Sequence, residues 1–155
     1  LRQPTQPDLI QRKLFTVHFH VYAAPEYLQR FGAPVAIDDL DNHRIITFGE
    51  QAPAYLRSMN WLETAGRAPG NPRRSVLKVN NLVAIKRAVQ TGVGIAMLPD
   101  YIIDKASNIV PVMTDQEDKV PSFGTYFVYP SELKNTARVT AFREFLLTNA
   151  ENWVY

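Results

Sequence analysis

Three times along this chain a β-rich run breaks in a tight turn that leads straight into the start of a helix. The junctions are Phe48-Gly49-Glu50-Gln51-Ala52-Pro53, Val79-Asn80-Asn81 and Leu98-Pro99-Asp100. Strands alternating with helices in this way predict an α/β fold with a mixed, largely parallel sheet flanked by helices. A parallel partner is reached only by a crossover, and a crossover helix buries its apolar stripe on the sheet. In such a sheet, ligands collect at the carboxyl ends of the strands. Helix starts there expose unpaired N–H groups and the positive end of the helix dipole, so a small carboxylate or other anion is the natural guest. The candidate ligand contacts are therefore Phe48, Gly49, Glu50, Gln51, Asn80, Asn81 and Pro99. Ordinary strand–helix turns have the same local sequence, and Asn80 or Asn81 can equally be a plain helix cap.

The remaining pattern fills in around these junctions. Leu9 to Ala24 reads as extended, with Val17, Phe19 and Val21 alternating with His18, His20 and Tyr22. Pro25 opens a short helix that Gly32 stops. Pro53 begins a helix whose stripe is Leu56, Met59, Trp61, Leu62 and Ala65, with Gly66 as its stop. After a strand over Ser75–Val79, a helix follows with Leu82, Ile85, Ala88 and Val89 turned inward, and Gly92 ends it. Gly94 to Leu98 is a buried strand, and Pro99 starts another helix to about Lys105. Further strands are expected at Ile109–Met113 and Phe123–Tyr129. A last helix is expected from about Thr136 to Asn149, its apolar side Val139, Phe142, Phe145 and Leu146.

Several chemistries find no support. There is no cysteine, which excludes disulfide scaffolds and Cys-based metal sites. No apolar run reaches the ~20 residues of a membrane helix, so no membrane partner is expected, and Leu1–Pro7 lacks a signal-peptide core. Seventeen Lys+Arg against fifteen Asp+Glu leave a formal charge of +2, too little for a dedicated nucleic-acid module. The densest basic patch, Arg67, Arg73, Arg74 and Lys78, reads as a solvated loop. His18 and His20 share a strand face, but no third ligand stands at a recognisable spacing, so no metal is assigned. Ser75 and Ser107 lie outside any nucleophile elbow. Gly92-Val93-Gly94 follows a helix and precedes a strand, the reverse of a dinucleotide-binding turn. Neither a catalytic residue nor a cofactor is expected.

Val79-Asn80-Asn81-Leu82, followed by Ala88-Val89-Gln90-Thr91-Gly92-Val93-Gly94-Ile95-Ala96-Met97-Leu98-Pro99, resembles the most characteristic stretch of LysR-type sensor domains. Ala23-Ala24-Pro25-Glu26-Tyr27-Leu28 with Gly32 and Pro34 is similar to a second motif of that family, and Asp38-Asp39-Leu40 with His43-Arg44 to a third. Phe127-Val128-Tyr129-Pro130-Ser131 and the helix through Phe142–Leu146 resemble its closing strand and helix. The resemblance implies a type 2 periplasmic-binding-protein-like effector domain of two α/β subdomains, with a small-molecule effector in the cleft between them. Residues 17–122 would be the second subdomain. Residues 1–16 and 123–155 would be partial, returning pieces of the first. Leu1-Arg2 resembles the end of the strand before the first crossover, which adds Arg2 to the candidate contacts. The family further implies a cytoplasmic, homo-oligomeric transcription regulator that touches DNA only through an N-terminal winged helix-turn-helix outside this chain, and no enzyme. This chain is accordingly expected to be a fragment. A periplasmic-type solute-binding protein is the alternative, with an enzyme on the same two-lobed fold third.

Overall fold

The strand expected from Leu9 onward forms as two pieces, β1 (Leu9–Val17) and β2 (Phe19–Ala23), which part at the exposed His18. The computed structural model describes residues 5–57 and 59–151. Along the chain follow α1 (Pro25–Phe31), β3 (Ile46–Thr47), α2 (Ala54–Arg57), α3 (Trp61–Thr64), β4 (Leu77–Lys78), α4 (Leu82–Gln90), β5 (Ala96–Pro99), β6 (Val110–Val112), β7 (Phe123–Pro130) and α5 (Ala137–Glu151). Two compact units result. One holds the described residues up to His18 and from Ser122 onward, the other Phe19–Pro121.

The Phe19–Pro121 unit is built on a mixed sheet. β3 and β4 pair in parallel, Ile46 opposite Leu77 and Thr47 opposite Lys78. An isolated parallel bridge between Ile45 and Ile95 joins β3 to the start of β5. β2 runs antiparallel to both β5 and β6. The order is thus β4-β3-β5-β2-β6, with only β2 reversed. Ile45, Ile46, Ile95, Ala96, Leu98 and Val21 are all essentially fully buried, the near-continuous apolar runs of strands covered on both faces. α4 packs on β2, β3 and β5 and buries Ile85 and Val89. Each such burial is worth roughly 1.5–3 kcal/mol. Gly92, at φ +70, closes this helix.

Two expected helices take other forms. The one expected from Pro53 to Ala65 is split into α2 and α3, and Asn60 at the joint explains the break. Its Nδ2 donates to the Phe48 carbonyl at 2.8 Å, and its Oδ1 accepts from the Phe48 N–H at 2.9 Å. Those backbone groups lie beyond the end of β3, and the carboxamide completes both. Asn60 therefore holds a non-helical backbone, φ −77 and ψ 39. The helix expected after Pro99 resolves into two 3-10 turns, Asp100–Ile102 and Lys105–Ser107.

In the other unit β1 and β7 form an antiparallel pair, from Leu9 opposite Pro130 to Val17 opposite Phe123, with a register shift between Lys13 and Phe15. α5 packs on β1. Its inward stripe is Val139, Thr140, Arg143, Leu146, Leu147 and Ala150, a rotation away from the face expected from the apolar residues alone. Phe142 and Phe145 remain 52% and 61% exposed, and Phe142 meets Phe127 edge-on at 5.6 Å between ring centres.

Candidate functional site

Because β3, β4 and β5 run the same way, the turns after Phe48, Val79 and Leu98 emerge at one edge of the sheet. Two of them touch. The Gly49 N–H donates to Asn80 Oδ1 at 3.1 Å. A Cβ on Gly49 would stand 2.7 Å from that oxygen, so a larger residue there would displace the Asn80 side chain. Asn81 takes the other role foreseen for it. Its oxygen accepts from the Ala84 N–H at 3.1 Å and caps α4. Both asparagine oxygens are thus engaged within the chain. Pro99 is buried at the end of β5, opposite Phe19, and Gln51 is exposed in the turn. Arg2 lies outside the described residues.

A cavity of about 450 Å³ opens beside the β3–α2 turn. Phe48, Gly49 and Glu50 line it, as do five residues outside the expected set: Arg57, Asn60, Glu63, Thr64 and Lys78. Gln51, Asn80, Asn81 and Pro99 are not in its lining. Arg57, Asn60, Glu63 and Thr64 are polar positions within a helical stretch and read as water-facing, and Lys78 reads as part of a solvated basic loop. The break between α2 and α3 and the pairing of β4 with β3 bring them to a common space.

The cavity wall is polar and connected. The Glu63 side chain, 14% exposed, receives hydrogen bonds through Oε1 from Thr47 Oγ1 at 3.0 Å and Ser75 Oγ at 2.7 Å, and Lys78 Nζ stands 3.4 Å away. Arg57 donates from Nη1 to the Glu50 carbonyl at 2.9 Å. Such a wall can bind charged groups without reorganising, because its own side chains already hold each other in place.

A second polar cluster lies in the same unit. His20 Nδ1 is 2.7 Å from Asp100 Oδ1 and Nε2 is 3.4 Å from Glu117 Oε1, while the Tyr22 hydroxyl donates to Asp100 at 3.0 Å. Burial first, and then the neighbouring Asp100 carboxylate, push the Tyr22 hydroxyl pKa well above its ordinary value. His18 lies in the break before β2. Among the described residues no group of three or more His, Asp or Glu side chains could hold a metal ion.

Known proteins place this geometry. A family profile described as the LysR substrate binding domain matches residues 1–151. The HTH-type transcriptional regulator CrgA of Neisseria meningitidis serogroup C (strain 8013) is 29% identical over 147 residues, which are 91% of this chain and 46% of that protein. The chain therefore spans about half the length of the curated relatives it matches. The solved CrgA regulatory domain superposes with a TM-score of 0.73 at 25% identity, covering 96% of this chain and 72% of that one. The Synechocystis PCC6803 CcmR regulatory domain, in complex with 2-PG, gives 0.72 at 17% identity, covering 97% and 71%, and shares the fold.

Proposed function

Since the chain belongs to the LysR substrate-binding domain family, we propose that it senses a small metabolite carrying a carboxylate or other anionic group, bound at the carboxyl edge of the β3–β4–β5 sheet. The observation that carries this reading is the cavity beside the β3–α2 turn, which stands where an open α/β sheet gathers its ligands. Arg57 and Lys78 supply the cationic contacts. Of the residues expected from the sequence, Phe48, Gly49 and Glu50 belong to this cavity and are joined by Arg57 and Lys78; Gln51, Asn80, Asn81 and Pro99 stay candidates only for a ligand that extends past its lining, and Arg2 lies outside the described residues. That CcmR's regulatory domain was solved with 2-PG supports a small-molecule occupant.

The parent protein is read as a cytoplasmic, homo-oligomeric transcription regulator whose DNA contacts lie outside this chain. Residues 17–122 act as its second effector subdomain, with 1–16 and 123–155 belonging to the first. The ligand acts by preferring one of two geometries and shifting the population toward it. No covalent step is involved. The matched relatives are named transcriptional regulators, so a periplasmic-type solute-binding protein is not favoured. Among the described residues no helix is long and apolar enough to cross a membrane. A thermal-shift screen of small carboxylates tests the reading, because a ligand that binds only the folded chain raises its melting temperature. Stabilisation that Arg57→Gln weakens is the expected result. A set of stabilising ligands indifferent to both Arg57→Gln and Lys78→Gln moves the site elsewhere.

A further inference from the structure

The charges lining the cavity narrow the ligand further; this step rests on the effector-binding reading above. Four ionisable side chains face the space, Glu50 and Glu63 against Arg57 and Lys78. Their formal charges cancel. A simple anion would meet two carboxylates there, and a simple amine two cations. Neither is complementary to the whole wall.

Glu63 is the recessed member of the four. All its contacts fall on Oε1, which accepts from Thr47 and Ser75 and stands nearest Lys78. Oε2 has no hydrogen-bond partner among the described residues. Oε2 is not among the buried polar atoms shut away without a partner, so it opens onto the cavity, where the donor of a ligand can take the place of water. Arg57 offers the opposite chemistry. One arm of its guanidinium is tied to the Glu50 carbonyl, which orients the group. The remaining N–H groups suit the planar oxygens of a carboxylate.

We propose that the cavity takes a compact zwitterion of the α-amino-acid class, with its ammonium group donating to Glu63 Oε2 and its carboxylate held by Arg57. Lys78 adds to the carboxylate's attraction. A cavity of about 450 Å³ leaves room for a side chain beside Phe48 and Thr64.

The test is calorimetric titration of the chain with the standard free L-amino acids, each paired with its deaminated acid and its decarboxylated amine. The expected result is one or more amino acids bound at least about tenfold more tightly than either singly charged analogue. Glu63→Gln should abolish the preference for the amino acid over the deaminated acid while the acid itself still binds. Arg57→Gln, on an exposed side chain, should weaken the acid and the amino acid together. The amide oxygen that Glu63→Gln introduces can still accept from Thr47 and Ser75, and far-ultraviolet circular dichroism checks that the fold is kept. A carboxylic acid lacking an amino group that binds as tightly as any amino acid, equally in the parent chain and in Glu63→Gln, overturns the inference and leaves the effector reading standing. Failure of every amino acid to bind also overturns it, while the carboxylate screen decides the broader reading separately.

Discussion

Gly94 stands just ahead of β5, and a Cβ there would overlap the Arg44 carbonyl oxygen. That oxygen accepts from the Ile95 N–H at 2.8 Å, part of the link between β3 and β5. The obstacle is backbone on both sides, so no rotamer change relieves it. Gly94→Ala is expected to cost about 1–3 kcal/mol, read as a lower denaturant midpoint at unchanged slope. The Arg73 side chain ties several segments together. Only 5% exposed, it reaches Asp41 Oδ1 at 2.6 Å and the carbonyls of Ile37, Leu62 and Ala65. Arg73→Leu should lose about 3 kcal/mol by stranding those acceptors. Acid should act through the same region. Arg73 first, then Arg67, hold the Asp41 carboxyl below its ordinary 3.8. Burial lowers His43 below 6.5, where its Nδ1 meets the Tyr27 hydroxyl at 3.1 Å. In both cases the unfolded chain takes up the proton more readily than the folded one. Their contributions are therefore complete above the unfolded values and are lost as pH falls through the folded ones. Stability should decline below about 6.5 and again below about 3.8. His43→Gln should remove part of the first decline, and Asp41→Asn part of the second, in urea titrations across pH.

Among the elements, the joint between α2 and α3 and the cap of α4 make a comparison with a definite order. Asn81→Ala removes one accepted hydrogen bond at an exposed helix start, worth about 1 kcal/mol. Asn60→Ala leaves both backbone groups of Phe48 without their partner, at about 1–3 kcal/mol each. The Asn60 variant should be the less stable of the two, and it alone should disturb the cavity, lowering the affinity of any ligand bound there. Equal losses in stability, with ligand affinity untouched, would show that Asn60 merely shapes a loop. The same joint shows how far element prediction from periodicity extends. The stripe of Leu56, Met59, Trp61, Leu62 and Ala65 is real apolar patterning. The break inside it coincides with Asn60 serving the backbone groups of Phe48, just beyond β3, from another segment.

At the scale of the whole molecule, the near-balance of charge and the absence of any helix-turn-helix pattern lead to a simple expectation. Residues 1–155 should show no tight, sequence-selective DNA binding in a gel-shift assay at physiological salt. Self-association should run through α5, where Phe142 and Phe145 stay largely in water. Light scattering should report a species larger than the monomer, and Phe145→Glu should reduce it. A monomer at high concentration with α5 fully helical contradicts that expectation.

How much of this was legible in the amino-acid order depends on the range of the interactions involved. Turn chemistry and apolar runs are local, so the turns after Phe48 and Val79, the stop at Gly92, the buried run Ile95–Leu98 and the cap at Asn81 could be read from neighbours in the chain, whereas the helix expected after Pro99 forms only 3-10 turns. The four ordered motifs likewise pointed to the LysR family, which the match over residues 1–151 bears out. The break at His18, the split at Asn60 and the inward stripe of α5 depend on partners distant in sequence, and no period in the residues announces them. The cavity is the strongest case. Glu63, Thr47, Ser75 and Lys78 are separated by up to 31 positions yet meet around one carboxylate oxygen. A polar side chain opposite an apolar stripe looks the same on paper whether it faces water or a pocket, and only the packing of β3, β4 and α3 separates the two.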